Sequence, residues 1–230
     1  MLLAIDTATP QVGVAVGVDG AVVGRVELAR GQRHAEALAP AVEYLLRATG
    51  ISLDQLAGIA VGTGPGLFTG LRVGVTTARV MAQVLRIPIV GVASLDLVAY
   101  PLRHTPRLLV AALDARRHEV FWATYRTVPG GLQRVGDYAV GDPAELVAEL
   151  EAHGEEALLA GDGALRYRAE FEAVDRLELA GPEFAAPSAG ALIELAHARF
   201  EREEFAQPTE VVPLYLRRSD AEIEWDRKPA

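Results

Sequence analysis

The segment from Ile59 to Leu85 limits what this chain can fold into more than any other: a short apolar strand runs through a glycine-rich elbow into an almost wholly apolar helix. The elbow reads Gly62-Thr63-Gly64-Pro65-Gly66-Leu67-Phe68-Thr69-Gly70-Leu71-Arg72. Its glycines let the backbone take positive φ and let other atoms come close. Gly70, Gly74 and Ala78 follow at four-residue spacing, a ridge nearly free of side chains along which a second helix can approach. Leu71, Val75, Val80, Met81, Val84 and Leu85 cover the other sides, more apolar surface than one core-facing stripe requires. Such a helix is either buried on two sides within its own chain or shared with another chain.

With 230 residues the chain can bury roughly 70% of its unfolded surface, enough for a sizeable core in one domain or two small ones. No apolar run reaches the eighteen or so residues that span a membrane. Met1-Leu-Leu-Ala-Ile has no basic leader and meets Asp6 at once, so it reads as no signal peptide. There is no cysteine, hence no disulfide framework, thiol nucleophile or thiolate metal site, and the expected address is cytoplasmic. The net charge of −9 is uneven: residues 1–105 carry +1 and residues 106–230 carry −10. Phosphate backbones repel such a chain, so nucleic acid is not expected to bind it directly. Lys228 is the sole lysine, which leaves neither a P-loop lysine nor a Schiff-base lysine.

The pattern of elements occurs twice. Leu2–Asp6 reads as a buried strand, Val12–Val18 and Ala21–Glu27 as a hairpin about Asp19-Gly20, and His34–Ala48 as a helix closed by Gly50. Ile59–Val61 is a strand feeding the elbow, followed by a helix over 68–86, a strand over Pro88–Val92 and a helix capped by Ser94. After Pro101 and Pro106 the order restarts with the strand Leu108–Asp114, the strand Val120–Tyr125, a turn at Pro129-Gly-Gly131 and a return over Leu132–Tyr138. Asp142-Pro143 opens a helix as N-cap and first residue, Leu158–Gly161 is a strand, and Pro187-Ser188 starts a helix through Phe200. Asp6 and Asp114 correspond at an offset of 108 residues. The expected class is α/β in two βββαβα lobes, residues 1–105 and 106–230, with the tail free to return to the first.

Catalytic motifs fail one after another. The elbow misses the third glycine of a dinucleotide fingerprint, finding Leu67 or Thr69 there, and lacks the Gly-Lys-Ser/Thr end of a P-loop. It reads best as a tight strand-to-helix turn in a packing interface. His34, His104, His118, His153 and His197 are never three to five residues apart, so no helix or hairpin holds a local ligand pair, and no metal is expected. None of Ser52, Ser94, Ser188 and Ser219 lies in a nucleophile elbow.

Duplicated lobes that each open on a strand, an aspartate and a hairpin resemble the actin-like (ASKHA, ribonuclease H-like) superfamily of sugar kinases, Hsp70 and actin. Leu3-Ala-Ile-Asp-Thr-Ala-Thr9, the elbow 62–72, Asp114-Ala-Arg-Arg-His-Glu-Val120, His34 and Pro213-Leu-Tyr-Leu-Arg217 together resemble the TsaB (YeaZ) family. One departure is Leu67, where that family usually has serine. The resemblance implies a non-catalytic paralogue of TsaD, needed for N6-threonylcarbamoyladenosine at position 37 of ANN-decoding tRNAs. It further implies TsaD and TsaE as partners, tRNA reached only through the complex, and a homodimer when alone. It implies no cofactor of its own and leaves a nucleotide at the complex interface open. The helices over 34–48 and 68–86 are then expected to meet TsaD, with His34, Leu38, Val42, Leu45, Gly70, Leu71, Gly74, Val75, Ala78 and Met81 at the interface.

In that superfamily the first hairpin is a phosphate loop, usually Asp-x-Gly-x-Thr/Ser. Here Ala8 stands for the glycine, and Asp114-Ala115-Arg116 has none. Asp6 therefore reads as a carboxylate tying down its own turn before it reads as a neighbour of magnesium. The alternative function, a small actin-like kinase of the pantothenate type, should keep those glycines.

Overall fold

The computed structural model describes residues 1–29 and 33–217; Ser219 and Lys228 lie outside the described residues. The first half opens with β1 (Leu2–Asp6), β2 (Val12–Val18) and β3 (Ala21–Leu28), joined in hairpin order. Then come α1 (His34–Thr49), β4 (Gly58–Gly62), α2 (Phe68–Leu85), β5 (Ile89–Val92) and the short α3 (Ser94–Ala99). The second half repeats the order with β6 (Leu108–Arg116), β7 (Glu119–Val128), β8 (Gly131–Gly141), α4 (Pro143–His153) and β9 (Ala157–Ala160). It continues through α5 (Asp162–Arg166), α6 (Arg168–Phe171), β10 (Leu177–Leu179) and α7 (Ala189–Glu201).

Each half builds one five-stranded mixed sheet, in the orders β3-β2-β1-β4-β5 and β8-β7-β6-β9-β10. In both, the strand ending in aspartate is central, antiparallel to the next strand and parallel to the one after the first helix. Central strands are covered on both faces, which is why Leu2–Ile5 and Leu108–Leu113 are continuous apolar runs rather than alternating ones. Asp6 closes β1, and Asp114 holds the matching place in β6, two residues before its end and just ahead of a bulge.

On one face of the first sheet, α1 and α2 bury Leu38, Val42, Leu45, Val75 and Ala78 against Leu3, Ile5, Val14 and Val61. Its other face is covered by α7, which packs Ala189, Leu192, Ile193 and Ala196 on Ala4, Ala15, Ala60 and Val92. The helix starting at Ser188 therefore does not stay with the second half. Reciprocally, α3 from the first half sends Leu95, Val98 and Ala99 into the second sheet, beside Leu109, Leu113 and Phe121. The other face of that sheet takes α4, α5 and α6 through Leu146, Leu150, Ala164 and Phe171. The division near residue 105 separates the two sheets, but each half lends the other a covering helix. The tail also returns to the first sheet: Ala206 N–H donates to Ile89 O at 2.9 Å and Leu214 N–H to Thr63 O at 2.7 Å.

Among the described residues two side chains cap α-helices, Asp142 as the sequence predicts and Ser188 in addition. Asp142 accepts from Ala144 N–H at the start of α4, and Ser188 accepts from Ala191 N–H at the start of α7. Ser94 does not cap α3: its hydroxyl is used elsewhere.

Candidate functional site

The β1–β2 turn, Asp6-Thr7-Ala8-Thr9, is the position where a phosphate would have to enter. It is closed by its own chain. Asp6 Oδ1 accepts from Ala8 N–H at 3.0 Å, and Asp6 Oδ2 accepts from the Ser94 hydroxyl at 2.8 Å. Ser94 Oγ in turn accepts from Gly64 N–H at 3.1 Å, so Asp6 fastens the turn to both the elbow and α3. Burial pushes the Asp6 carboxyl from its ordinary 3.8 up to about 6, and the Ala8 N–H, Ser94 and His34 oppose that rise.

The elbow then seals the turn from above. Leu67 N–H donates to Ala8 O at 2.7 Å, and a Cβ at Gly66 would collide with that same carbonyl. Thr7 Oγ1 donates to Gly70 O at 2.7 Å. His34 Nε2 lies 2.7 Å from Thr9 O, and since a carbonyl only accepts, that nitrogen carries the proton. The side-chain oxygens of Asp6, Thr7 and Thr9 thus all have partners within the chain.

This geometry corrects the expected interface. The small-residue ridge faces Thr7 rather than a second helix: a Cβ at Gly70 would strike Thr7 O, and one at Gly74 would strike Thr7 Oγ1. Ala78 and Leu71 are 0% and 1% exposed, and Val75, Leu38, Leu45, Val42 and His34 are also buried. Met81 is half-buried against the same core. Nine of these ten residues are buried within the chain, against the first sheet or the β1–β2 turn and elbow. The helix is buried on two sides within its own chain, the option not chosen for the ridge.

The outward face of the same helices is a different set. Thr69, Arg72, Thr76, Val80 and Val84 form an exposed stripe on α2, with Val80 53% and Val84 74% accessible. On α1, Ala35, Ala39 and Tyr44 are exposed, Tyr44 by 56%. Between them runs a groove of about 500 Å³ lined by Ala35, Ala39, Phe68, Val73 and Thr76. Phe68 closes one end, under the Arg72 guanidinium 3.9 Å from its ring centroid and beside the Tyr215 ring at 5.1 Å. The signal for this face was present in the sequence: Val80 and Val84 are apolar residues that the core-facing stripe of α2 has no room for.

The matching turn of the second half is built differently. Asp114 N–H donates to Asp162 Oδ1 at 2.9 Å, and the guanidinium groups of Arg116 and Arg166 lie 3.2 and 3.5 Å from Asp114 Oδ2. Burial lifts the Asp162 carboxyl to about 6. Arginine side chains occupy the space around Asp114 where a phosphate loop would need bare backbone. Arg217 pairs with Glu119, tying the tail to the start of β7.

Comparison with known proteins agrees with this architecture. The family model matching residues 27–225 is that of TsaD, tRNA N6-adenosine threonylcarbamoyltransferase. The tRNA threonylcarbamoyladenosine biosynthesis protein TsaB of Bacillus subtilis is 32% identical over 97% of this chain and 97% of its own length. An uncharacterized protein of Mycobacterium leprae is 36% identical over 100% of this chain, which spans 58% of that longer relative. The solved structure of YeaZ from Pseudomonas aeruginosa superposes with a TM-score of 0.76 at 30% identity, covering 94% of this chain and 99% of that one. The transferase model takes in most of the chain, and the Bacillus subtilis relative, matched from end to end, carries the name TsaB. On that ground this chain belongs to the TsaB (YeaZ) family, with its duplicated actin-like α/β fold.

Proposed function

We propose that this chain serves the formation of N6-threonylcarbamoyladenosine on tRNA as a non-catalytic subunit. It docks TsaD through the outward face of α1 and α2, and TsaE joins the pair. The observation that carries this reading is the face itself: a groove between two packed helices is lined by Ala35, Ala39, Phe68, Val73 and Thr76, and Val80 and Val84 stand exposed one and two turns beyond Thr76 on α2. Contiguous exposed apolar surface of this kind is ordinarily covered by a protein partner. In the absence of TsaD a second copy of the chain covers it, giving a two-fold dimer. The work is done in the cytoplasm; among the described residues no helix is long and apolar enough to cross a membrane.

The closed β1–β2 turn supports the non-catalytic part. A kinase of the same fold needs that turn open to phosphate, whereas here Leu67, Gly66 and Thr7 fill it. The chain carries no organic cofactor of its own, any nucleotide belongs to the boundary with TsaD, and the second half's charge of −10 makes tRNA a ligand of the complex rather than of this chain. Reconstitution tests the whole reading: TsaD, TsaE, threonylcarbamoyl-adenylate and an ANN-decoding tRNA are incubated with and without this chain, and the modified nucleoside is measured. The modification is expected to need the chain, and the chain alone to turn over no ATP. Equal yield without it, or ATP turnover by the pure chain that Asp6→Asn abolishes, would refute the proposal.

A further inference from the structure

Local spacing of the five histidines excludes ligand pairs within one helix or hairpin, but not a site assembled from distant segments. The fold makes such an assembly in the second half. His118 in the β6–β7 turn, Asp142 ahead of α4 and Glu170 on α6 each bring one ligand atom to a common point, all within 4.8 Å of one another. His118 Nε2 is 3.8 Å from Asp142 Oδ2 and 3.7 Å from Glu170 Oε1. We propose that His118, Asp142 and Glu170 bind a divalent transition-metal ion of the zinc type.

Two of the three side chains are held by something other than the trio, and the third rises from a helix fixed to the core. Asp142 caps α4, its Oδ1 accepting from Ala144 N–H at 2.9 Å, while its Oδ2 lies 3.8 Å from His118 Nε2. The imidazole stands edge-to-face with the Tyr167 ring at 5.1 Å, and Tyr167 itself is only 8% exposed, so a fixed core ring sets the plane of the imidazole. Arg116, Arg117 and His118 all take positive φ, at 64°, 55° and 62°, a conformation unfavourable for side-chain-bearing residues. That run aims His118 at the two helices. Glu170 comes from α6, which packs on the core through Phe171.

The distances suit a small ion. Zinc sits about 2.0–2.2 Å from imidazole nitrogen and carboxylate oxygen, so tetrahedral ligand atoms are about 3.4 Å apart. Closing the two histidine edges from 3.7 and 3.8 Å takes a few tenths of an ångström, and the carboxylate–carboxylate edge, within 4.8 Å, closes by movement of exposed or half-exposed side chains. One imidazole with two carboxylates favours zinc-like ions over magnesium, which asks for oxygen ligands. The two carboxylates balance the ion's charge, and the nearby cations have other partners: Arg116 and Arg166 lie on Asp114, and Arg168 on Glu172. Three protein ligands leave a fourth position open to water. A bound ion would clamp the β6–β7 turn to α4 and α6, three elements joined there by side chains alone.

Two other histidines meet a carboxylate: His153 lies near Glu149 and His197 near Glu201, each a pair at helical spacing rather than a trio. They set the controls. The full chain, stripped of metal by a chelator, is titrated with zinc chloride in a calorimeter, with circular dichroism checking the fold of each variant. One saturable ion per chain is expected, undisturbed by excess magnesium. His118→Ala, Glu170→Gln and Asp142→Asn (which keeps the cap) should each weaken it at least tenfold, while His153→Ala and His197→Ala leave it unchanged. No saturable binding by the parent chain, or a folded His118→Ala that binds within twofold of the parent, would overturn the proposal and leave the trio an ion-pair cluster.

Discussion

Asp6 is a buried carboxylate whose role in this chain is structural. Its two oxygens are spent on Ala8 N–H and the Ser94 hydroxyl, and it is 2% exposed. In the unfolded chain it titrates near 3.8 and in the fold near 6, so folding favours the protonated form. Its contribution to stability is whole below pH 4 and is lost as the pH rises through 6. That rise is worth at most roughly 3 kcal/mol. Asp6→Asn removes this titration while keeping an acceptor for Ala8 N–H. The stability of Asp6→Asn relative to the parent, from urea unfolding at each pH, is therefore expected to climb by up to about 3 kcal/mol between pH 4 and pH 8. A flat difference would mean that the buried carboxyl carries no such cost. The role of Asp6 as the tie of its own turn was legible from its place at a strand end. Its link to Ser94 was not, because a serine ahead of a short helix reads locally as a cap, and only the fold brings residues 6 and 94 together.

At the scale of elements, α2 carries the lesson. The sequence marks it as a helix with apolar surface on several sides, and the structure gives it from Phe68 to Leu85. What a single strip of sequence lacks is which side meets what. A glycine ridge is equally suited to a partner helix and to a turn of the same chain, since both need bare backbone. Here the turn won, with Thr7 lying in the notch between Gly70 and Gly74. Gly74→Leu is accordingly expected to damage the fold and not merely an interface. Overpacking there should cost about 1–3 kcal/mol or more, seen as a lowered urea midpoint for the isolated chain. Parental stability would show that the ridge tolerates a side chain and that Thr7 is not its true neighbour. The short elements α5, α6 and β10, of five, four and three residues, escaped the sequence reading because periodicity needs more than one turn or two alternations to show.

Over the whole molecule, the duplication was legible because two apolar strands ending in aspartate begin the same order of elements. The exchange of covering helices was not. Helix α7 follows the second sheet in sequence yet buries Leu192 and Ile193 under the first, and α3 does the reverse. Amphipathic pattern says that a helix must cover a sheet but not which one. The consequence is one interlocked body whose first sheet is roofed by α7 on one side and by α1 and α2 on the other. The outer surface of α1 and α2 carries no covering layer and exposes Val80 and Val84, and docking TsaD there is the central claim. Its most direct measurement is the affinity of the purified chain for TsaD, by calorimetry, for the parent, Val80→Asp and the control Glu151→Leu on α4. Both side chains are exposed, so both variants should fold. A charge set into an apolar contact should weaken Val80→Asp at least tenfold, about 1.4 kcal/mol, with Glu151→Leu unchanged. Parental affinity in a folded Val80→Asp would contradict the account.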